Sequence, residues 1–229
     1  MSTDITSQQH SILKGYNMLL YFAGTMIMYE PSEECIVDFW NNGILKKLPV
    51  SSSNPVFVRA ASQLRESCTD KSSATNTMSE DYYRLFTREI MPFAPLYESS
   101  YQNILPAEKR SDHSDVSEFY NSYGWMGKFR PELKDDHLGV ELLFLTKLIE
   151  KYIVLDDDAC RTEMRKEIRR FVEQHILSWI PEWYRRVQEN SLTNSYKGIA
   201  SLIYACAEDI HALLSEKNES FSRSAYLRN

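Results

Sequence analysis

The strongest constraint on what this chain can fold into lies at residues 135–145, which read Asp-Asp-His-Leu-Gly-Val-Glu-Leu-Leu-Phe-Leu. Apolar side chains recur here and just beyond at intervals of three and four residues, at Leu138, Leu142, Leu145 and Ile149. That spacing places side chains on one face of an α-helix, where they form a stripe suited to burial. The segment therefore predicts a helix that packs into a core.

An acidic pair and a histidine precede this apolar stripe. We expect Asp135 or Asp136 to cap the helix, because a carboxylate there accepts hydrogen bonds from the free N–H groups of the first turn. His137 stands four residues before Glu141, and residues four apart are neighbours on a helix. The segment thus indicates a group of carboxylates and a histidine at the edge of a core. The simpler interpretation is an ordinary cap beside a satisfied histidine.

The rest of the chain favours an all-α fold. Its 229 residues include 7 glycines and 8 prolines, and no clean strand-like alternation of apolar and polar residues is found. The most polar connection, Ile104–Asp115, is the predicted hinge between two halves of a helical bundle. The predicted organisation is an N-terminal helical half at 1–105, a hinge and connecting helix at 106–130, a C-terminal helical half at 131–216 and a frayed tail at 217–229.

Local signals predict several helix ends. Pro55 follows Asn54 and favours a helix start, since the first turn tolerates the missing N–H of proline. Ser79 is predicted to cap a short helix, and Pro181 is predicted to kink or restart another. The aspartates at 156–158 lack the ligand alternation and central glycine of a calcium loop, so we expect a helix start there rather than a metal site.

Charge and cysteine spacing exclude some classes of protein. The net charge of −6, from 26 basic and 32 acidic residues, argues against a nucleic-acid binder. The four cysteines are isolated, which favours free thiols in a reducing compartment. The uncharged stretch Gly15–Tyr29 is shorter than the roughly 20 apolar residues that span a bilayer. A cytoplasmic protein without a membrane span is predicted.

Four blocks of residues stand in a fixed order: Tyr82–Phe86, Pro92–Tyr101, Asp135–Leu145 and Phe171–Trp183, with a weaker fifth at 196–202. Together they resemble the TorD/DmsD/NarJ-type redox-enzyme maturation chaperones over roughly residues 80–205. The resemblance implies an all-helical cytoplasmic protein that is not an enzyme. It implies as partners an apo-molybdoenzyme catalytic subunit and its twin-arginine signal peptide, bound until the client's molybdopterin cofactor is loaded. No cofactor bound tightly by the chaperone itself is implied.

The resemblance also implies a client-binding site drawn from the first three blocks: Tyr82, Leu85, Phe86, Tyr97, Glu98, Ser99, Asp136, His137 and Glu141. The fourth block supplies His175, Trp179 and Pro181, of which the last two are interpreted as architectural. Two positions depart from the family pattern, because Lys134 and Leu96 stand where prolines are usual.

The chemistry of these residues suits such a client. A twin-arginine signal offers two guanidinium groups beside an apolar stretch, and carboxylates match the planar guanidinium fork. Asp136, Glu141 and Glu98 would supply the charge, and Leu85, Phe86 and Tyr97 an apolar wall. The helical spacing of Leu85 and Phe86 equally predicts core positions.

Two other functions are compatible with the sequence. One is a helical adaptor that docks folded proteins through its aromatic loop without signal-peptide specificity. The other is a small all-α enzyme that uses Asp136, His137 and Glu141 as an acid–base group. No nucleophile motif, phosphate loop or metal-ligand spacing accompanies that group. Either a monomer or a domain-swapped dimer is compatible with two helical halves joined by a hinge.

Overall fold

A computed structural model describes residues 2–69, 75–104, 116–125 and 133–215. The α-helices in these ranges are α1 Ser2–Met28, α2 Glu33–Ile36, α3 Pro55–Ser67, α4 Thr75–Tyr82, α5 Val116–Ser122, α6 Leu138–Val154, α7 Asp158–Phe171, α8 Ile180–Asn190 and α9 Asn194–Leu213. The described residues form no strand, and an isolated antiparallel bridge pairs Tyr97 with His137. The all-α prediction is confirmed.

Three helices are each followed by a π-helical turn, at Val37–Asn41 after α2, Tyr83–Thr87 after α4 and Val172–Ile176 after α7. Short 3₁₀ turns lie at Ile44–Lys46 and Glu98–Ser100. π-helical turns are rare and are often found at functional sites. Two of the three carry residues of the sequence blocks, so these blocks coincide with local departures from regular helix geometry.

The core is built where α1 packs against α6 and α9, and where α3 packs against α9. Glycines allow these helices to approach closely. A Cβ atom on Gly139 would lie 2.1 Å from Cγ of Met28, and one on Gly198 would lie 2.8 Å from Leu64. Helices from both sides of the predicted hinge therefore share one core. The division into two halves stays a prediction, since the hinge residues 105–115, the connection 126–132 and the tail from 216 lie outside the described ranges.

Side-chain caps mark several helix starts. The Asn54 side chain accepts a hydrogen bond from the Val56 N–H at 2.9 Å, and α3 begins at Pro55 as predicted. Asp157 accepts from the Cys160 N–H at 2.7 Å, which confirms the predicted helix start. Pro181 is in the first turn of α8, so the chain restarts a helix there.

One predicted cap is wrong. Ser79 lies inside α4, which begins at Thr75. The polar residues before Ser79 read as a connection, but Met78 is completely buried in the core. Burial of that side chain extends the helix toward its N-terminus beyond what local propensity indicates.

The four cysteines are free thiols, and Cys206 is buried in α9. Among the described helices, none combines the length and apolar character that crossing a bilayer requires.

Candidate functional site

The aromatic loop, Pro92–Tyr101, joins the start of α6 through two backbone hydrogen bonds. The N–H of Leu138 donates to the carbonyl oxygen of Leu96 at 2.7 Å, and the N–H of Glu98 donates to that of Asp136 at 3.0 Å. The second and third sequence blocks are thus in direct contact. We call this contact the loop–helix junction, formed by residues 96–99 and 136–138.

Aromatic rings pack at the centre of the junction. The rings of Tyr97 and His137 meet edge to face, with their centroids 5.2 Å apart. His137 is buried, and its Nδ1 accepts a hydrogen bond from the Gly139 N–H at 3.0 Å. His137 is therefore the cap of α6, and the prediction that Asp135 or Asp136 caps this helix is wrong. The junction bonds fix where the chain enters α6, which leaves both aspartates outside the cap position.

The two aspartates bind other elements instead. The Asp136 carboxylate accepts a hydrogen bond from the Ser99 N–H at 3.1 Å, and so caps the 3₁₀ turn of the aromatic loop. The Asp135 carboxylate accepts from the Ser117 hydroxyl at 2.6 Å, and its carbonyl oxygen accepts from the Tyr120 hydroxyl at 3.0 Å. The acidic pair therefore joins the aromatic loop, α5 and the start of α6.

Glu98 points into the protein toward the π-helical turn after α7. Its carboxylate lies 3.3 Å from Nδ1 of the fully buried His175, and Gln102 donates to it at 3.1 Å. Burial raises the pKa of Glu98, and the hydrogen bond to His175 opposes that shift. His175 was not predicted as a site residue. The signal for it was its place in the fourth block, but no local pattern pairs it with Glu98.

Glu141 lies in the first turn of α6 and has no exposed surface. Neither carboxylate oxygen has a hydrogen-bond partner among the described residues. Burial raises the pKa of Glu141 well above its usual 4.5, and the negative charges of Glu98 and Asp136 add to the shift. A hydrogen bond from the Trp179 indole N–H would lower the pKa of Glu141. That N–H instead donates to the His175 carbonyl oxygen at 2.6 Å. Glu141 is therefore a buried acid whose neutral form is favoured.

The outer rim of the junction is accessible. Asp135, Ser99 and Lys134 are exposed, and Tyr97 and Asp136 are half-buried. Burial and the nearby Asp136 charge raise the pKa of the Tyr97 hydroxyl. The Lys134 ammonium stands 5.9 Å from the centroid of the Tyr97 ring. The rim therefore offers two carboxylates and an aromatic ring, with one lysine beside them.

Three predicted site residues lie in the core instead of at the junction. Tyr82, Leu85 and Phe86 are buried. The Phe86 ring packs with its centroid 6.4 Å from that of Trp183 and 5.4 Å from that of Tyr196. Since little of their side-chain surface reaches solvent, a client-binding role for them stays a prediction. For Leu85 and Phe86 the core position agrees with the alternative that their helical spacing predicted.

The other six predicted residues come together: Tyr97, Glu98, Ser99, Asp136, His137 and Glu141 all lie at the junction or directly behind it. Within the described ranges, no group of three or more His, Cys, Asp or Glu side chains is placed to hold a metal ion. The arrangement can present negative charge next to an aromatic surface, with a neutral acid behind them.

Comparison with known proteins agrees with the sequence blocks. The family model described as nitrate reductase delta subunit matches residues 55–185, which is more than half of the chain. The chaperone protein TorD of Vibrio parahaemolyticus serotype O3:K6 (strain RIMD 2210633) is 25% identical over 154 residues, covering 64% of this chain and 69% of that protein. Proteins of this family are chaperones, not enzymes, so the acid–base enzyme alternative is wrong. The chain belongs to the nitrate reductase delta subunit family, the TorD-type maturation chaperones that its sequence blocks resemble.

Proposed function

We propose that this protein is a cytoplasmic chaperone that binds an apo-molybdoenzyme and its twin-arginine signal peptide during cofactor insertion, before export. Family membership and the TorD relative support a chaperone of molybdoenzyme maturation. The molybdopterin cofactor belongs to the client in this proposal, and the chaperone recognises the client's polypeptide.

The observation that carries the proposal is the composition of the junction rim. The Asp136 carboxylate is close enough to the half-buried Tyr97 to act on its hydroxyl, and the exposed Asp135, bonded to Ser117, adds a second carboxylate to the rim. Guanidinium groups bind carboxylates through paired hydrogen bonds, and they also stack on aromatic faces. Two adjacent arginines followed by apolar residues match such a surface in charge and in polarity. Glu98 and Glu141 lie behind it and extend the acidic character inward.

The remaining predicted site residues have supporting places in this proposal. His137 fixes the start of α6, on which Asp136 and Glu141 depend for their positions. Tyr82, Leu85 and Phe86 hold α4 and its π-helical turn in the core, from which the aromatic loop continues. We propose that the client contacts the rim directly and that the three core residues act by holding the loop in place.

Asp136→Asn is the variant that tests the proposal. An Asn side chain can still accept the Ser99 N–H, so the loop keeps its cap while one negative charge is removed. We expect calorimetric titration with a synthetic twin-arginine signal peptide to show binding weakened about 10- to 100-fold, because a charge-assisted hydrogen bond contributes roughly 1.5–3 kcal/mol. Wild-type binding should weaken with added salt, and the variant's binding should depend on salt less steeply.

Glu163→Gln is the matched control, because it removes one negative charge from an exposed pair with Lys166 on α7. Its affinity for the peptide should equal that of the wild type. A peptide with Lys-Lys in place of Arg-Arg tests the adaptor alternative. Equal affinity for the two peptides would favour an adaptor, and unchanged affinity in Asp136→Asn would rule out the proposed site.

A further inference from the structure

The buried Glu141 carboxyl group calls for a physical explanation. It is completely buried, and neither oxygen is hydrogen-bonded among the described residues. An ionised carboxylate in that state would be strongly unfavourable, because burial removes its hydration and no hydrogen bond from the described residues replaces it. Buried polar groups are nearly always hydrogen-bonded, so a buried carboxyl group without a partner among the described residues needs a specific explanation, and a bound ligand group is one such explanation.

The neighbours of Glu141 explain why its charge is disfavoured. Asp136 acts on it from the start of α6, and Glu98 acts on it from the 3₁₀ turn of the aromatic loop, both with negative charge. From α5, Tyr120 is close enough that Glu141 and the other carboxylates raise the pKa of its hydroxyl, after the larger effect of burial. His175 faces this group through its contact with Glu98, and its own Nε2 lacks a hydrogen-bond partner among the described residues.

A guanidinium group has the chemistry that this cluster lacks. It is permanently charged, it carries five N–H donors, and it pairs with carboxylates in a fixed geometry. Held among these side chains, it would supply hydrogen bonds to the two free oxygens of Glu141 and offset the charges of Glu98 and Asp136. An ionised Glu141 would then be favoured over the neutral acid.

We propose that Glu141 carries a proton in the free chaperone and releases it when a client guanidinium binds among Glu98, Asp136 and Glu141. This inference rests on the proposed function and deepens it by naming the residue that recognises the client's arginine. The neutral acid and the guanidinium cation give a carboxylate–guanidinium pair, and the proton passes to the solvent buffer. Since Glu141 is buried, the guanidinium reaches it as the neighbouring loop–helix junction opens, which breaks two backbone hydrogen bonds.

The test is the number of protons released per peptide bound. The full chain is titrated at neutral pH with a synthetic peptide that carries two consecutive arginines before an apolar stretch. Calorimetry in phosphate and in Tris, whose ionisation enthalpies differ, gives the proton count from the difference in the observed heat. We expect about one proton released by the wild type and close to none by Glu141→Gln, which cannot ionise. Glu163→Gln should release as many protons as the wild type.

An infrared measurement provides a second readout on the wild type alone. The carbonyl band of a protonated carboxylic acid should be present in the free chaperone and should be lost when the peptide is added. It keeps the inference testable if Glu141→Gln fails to fold.

The possible failures are distinguishable. Tight binding with no proton released, or with a carboxylic acid band that persists in the complex, overturns the inference and leaves the proposed function intact. Equal proton release by the wild type and Glu141→Gln also overturns it, because another group would then be the source. Failure of the folded wild type to bind any twin-arginine peptide contradicts the proposed function, and the inference with it.

Discussion

Two buried carboxylates in this protein have opposite surroundings. Asp81 in α4 is completely buried and accepts hydrogen bonds from the backbone N–H groups of Leu192 and Thr193, each at 3.0 Å. The hydroxyls of Ser191 and Thr193 donate to it at 2.7 and 2.8 Å. Glu141 is equally buried and has no hydrogen-bond partner among the described residues.

Nearby charges extend the contrast. Asp81 has the guanidinium of Arg84 at 3.9 Å, whereas the charges that act on Glu141 come from Glu98 and Asp136. A buried carboxylate that accepts several hydrogen bonds contributes to folding, and here it holds the turn between α8 and α9 against α4. A buried carboxylate that lacks such bonds lowers stability, so its presence is better explained by binding than by folding.

The largest expected effect is on Asp81. Asp81→Ala would leave buried N–H and hydroxyl donors without an acceptor, and we expect the free energy of unfolding to fall by about 3 kcal/mol. For a chain of this size, the midpoint of thermal unfolding should fall by roughly 6–12 °C, as measured by circular dichroism. The exposed neighbour Glu80 is the control, and Glu80→Ala should change the unfolding free energy by less than about 0.5 kcal/mol. An unchanged free energy of unfolding in Asp81→Ala would contradict the claim that Asp81 stabilises the fold.

The next effect concerns how stability depends on pH. The pKa of Glu141 is raised above its usual 4.5 in the folded protein, so the folded state holds a proton that the unfolded state loses. The higher proton affinity of Glu141 in the folded state favours folding. That stabilisation is present in full below pH 4.5 and is lost as pH rises through the raised pKa. We expect Glu141→Gln, which has no proton to lose, to lose less stability than the wild type between mildly acidic and mildly alkaline pH.

Urea denaturation across that pH range would measure the difference between the two proteins. Glu98 contributes a dependence of the same sign, because burial raises its pKa as well, and both proteins retain it. Parallel curves for wild type and Glu141→Gln would show that Glu141 does not take up a proton on folding. Asp81 and Glu141 would then differ only in their hydrogen bonds and in the charges around them.

The smallest expected effect is at Lys134, on the rim of the junction. Its ammonium is exposed next to the Tyr97 ring, where it repels an approaching cation. Lys134→Ala should strengthen binding of a twin-arginine peptide about two- to threefold at low salt, in line with the small energies of exposed charge pairs. Lys147→Ala removes an exposed lysine further along α6 and should leave the affinity unchanged. Weaker binding by Lys134→Ala would place the client elsewhere.

The sequence predicted the all-α fold and the burial of α6, because the apolar spacing at Leu138, Leu142, Leu145 and Ile149 is regular. It did not predict the caps that tertiary contacts determine. An aspartate is the expected cap of α6, but the backbone bonds to Leu96 and Glu98 fix the chain so that His137 takes that position. Burial of Met78 displaced the start of α4 from Ser79 in the same way.

The candidate site was predictable only in part. The ordered blocks brought Tyr97, Asp136 and His137 into one proposed site, and in the structure Tyr97 contacts His137 while Asp136 is bonded to Glu98 and Ser99 of the same loop. The pairing of Glu98 with His175 joins residues far apart in the chain, and no local pattern encodes it. Glu141 also lacks a hydrogen-bond partner among the described residues. That depends on which side chains surround it in the fold, so the sequence does not predict it.

Hydrogen exchange of backbone amides at the loop–helix junction and around Asp81 tests whether the client binds at the junction and not near Asp81. The amides of Glu98, Ser99 and Leu138 are bonded across the junction, and those of Leu192 and Thr193 are bonded to Asp81. With a saturating twin-arginine peptide, exchange at the three junction amides should change, while exchange at Leu192 and Thr193 should stay as in the free protein. Unchanged exchange at the junction in a saturated complex, or equal changes in both regions, would contradict the assignment of the junction as the client site.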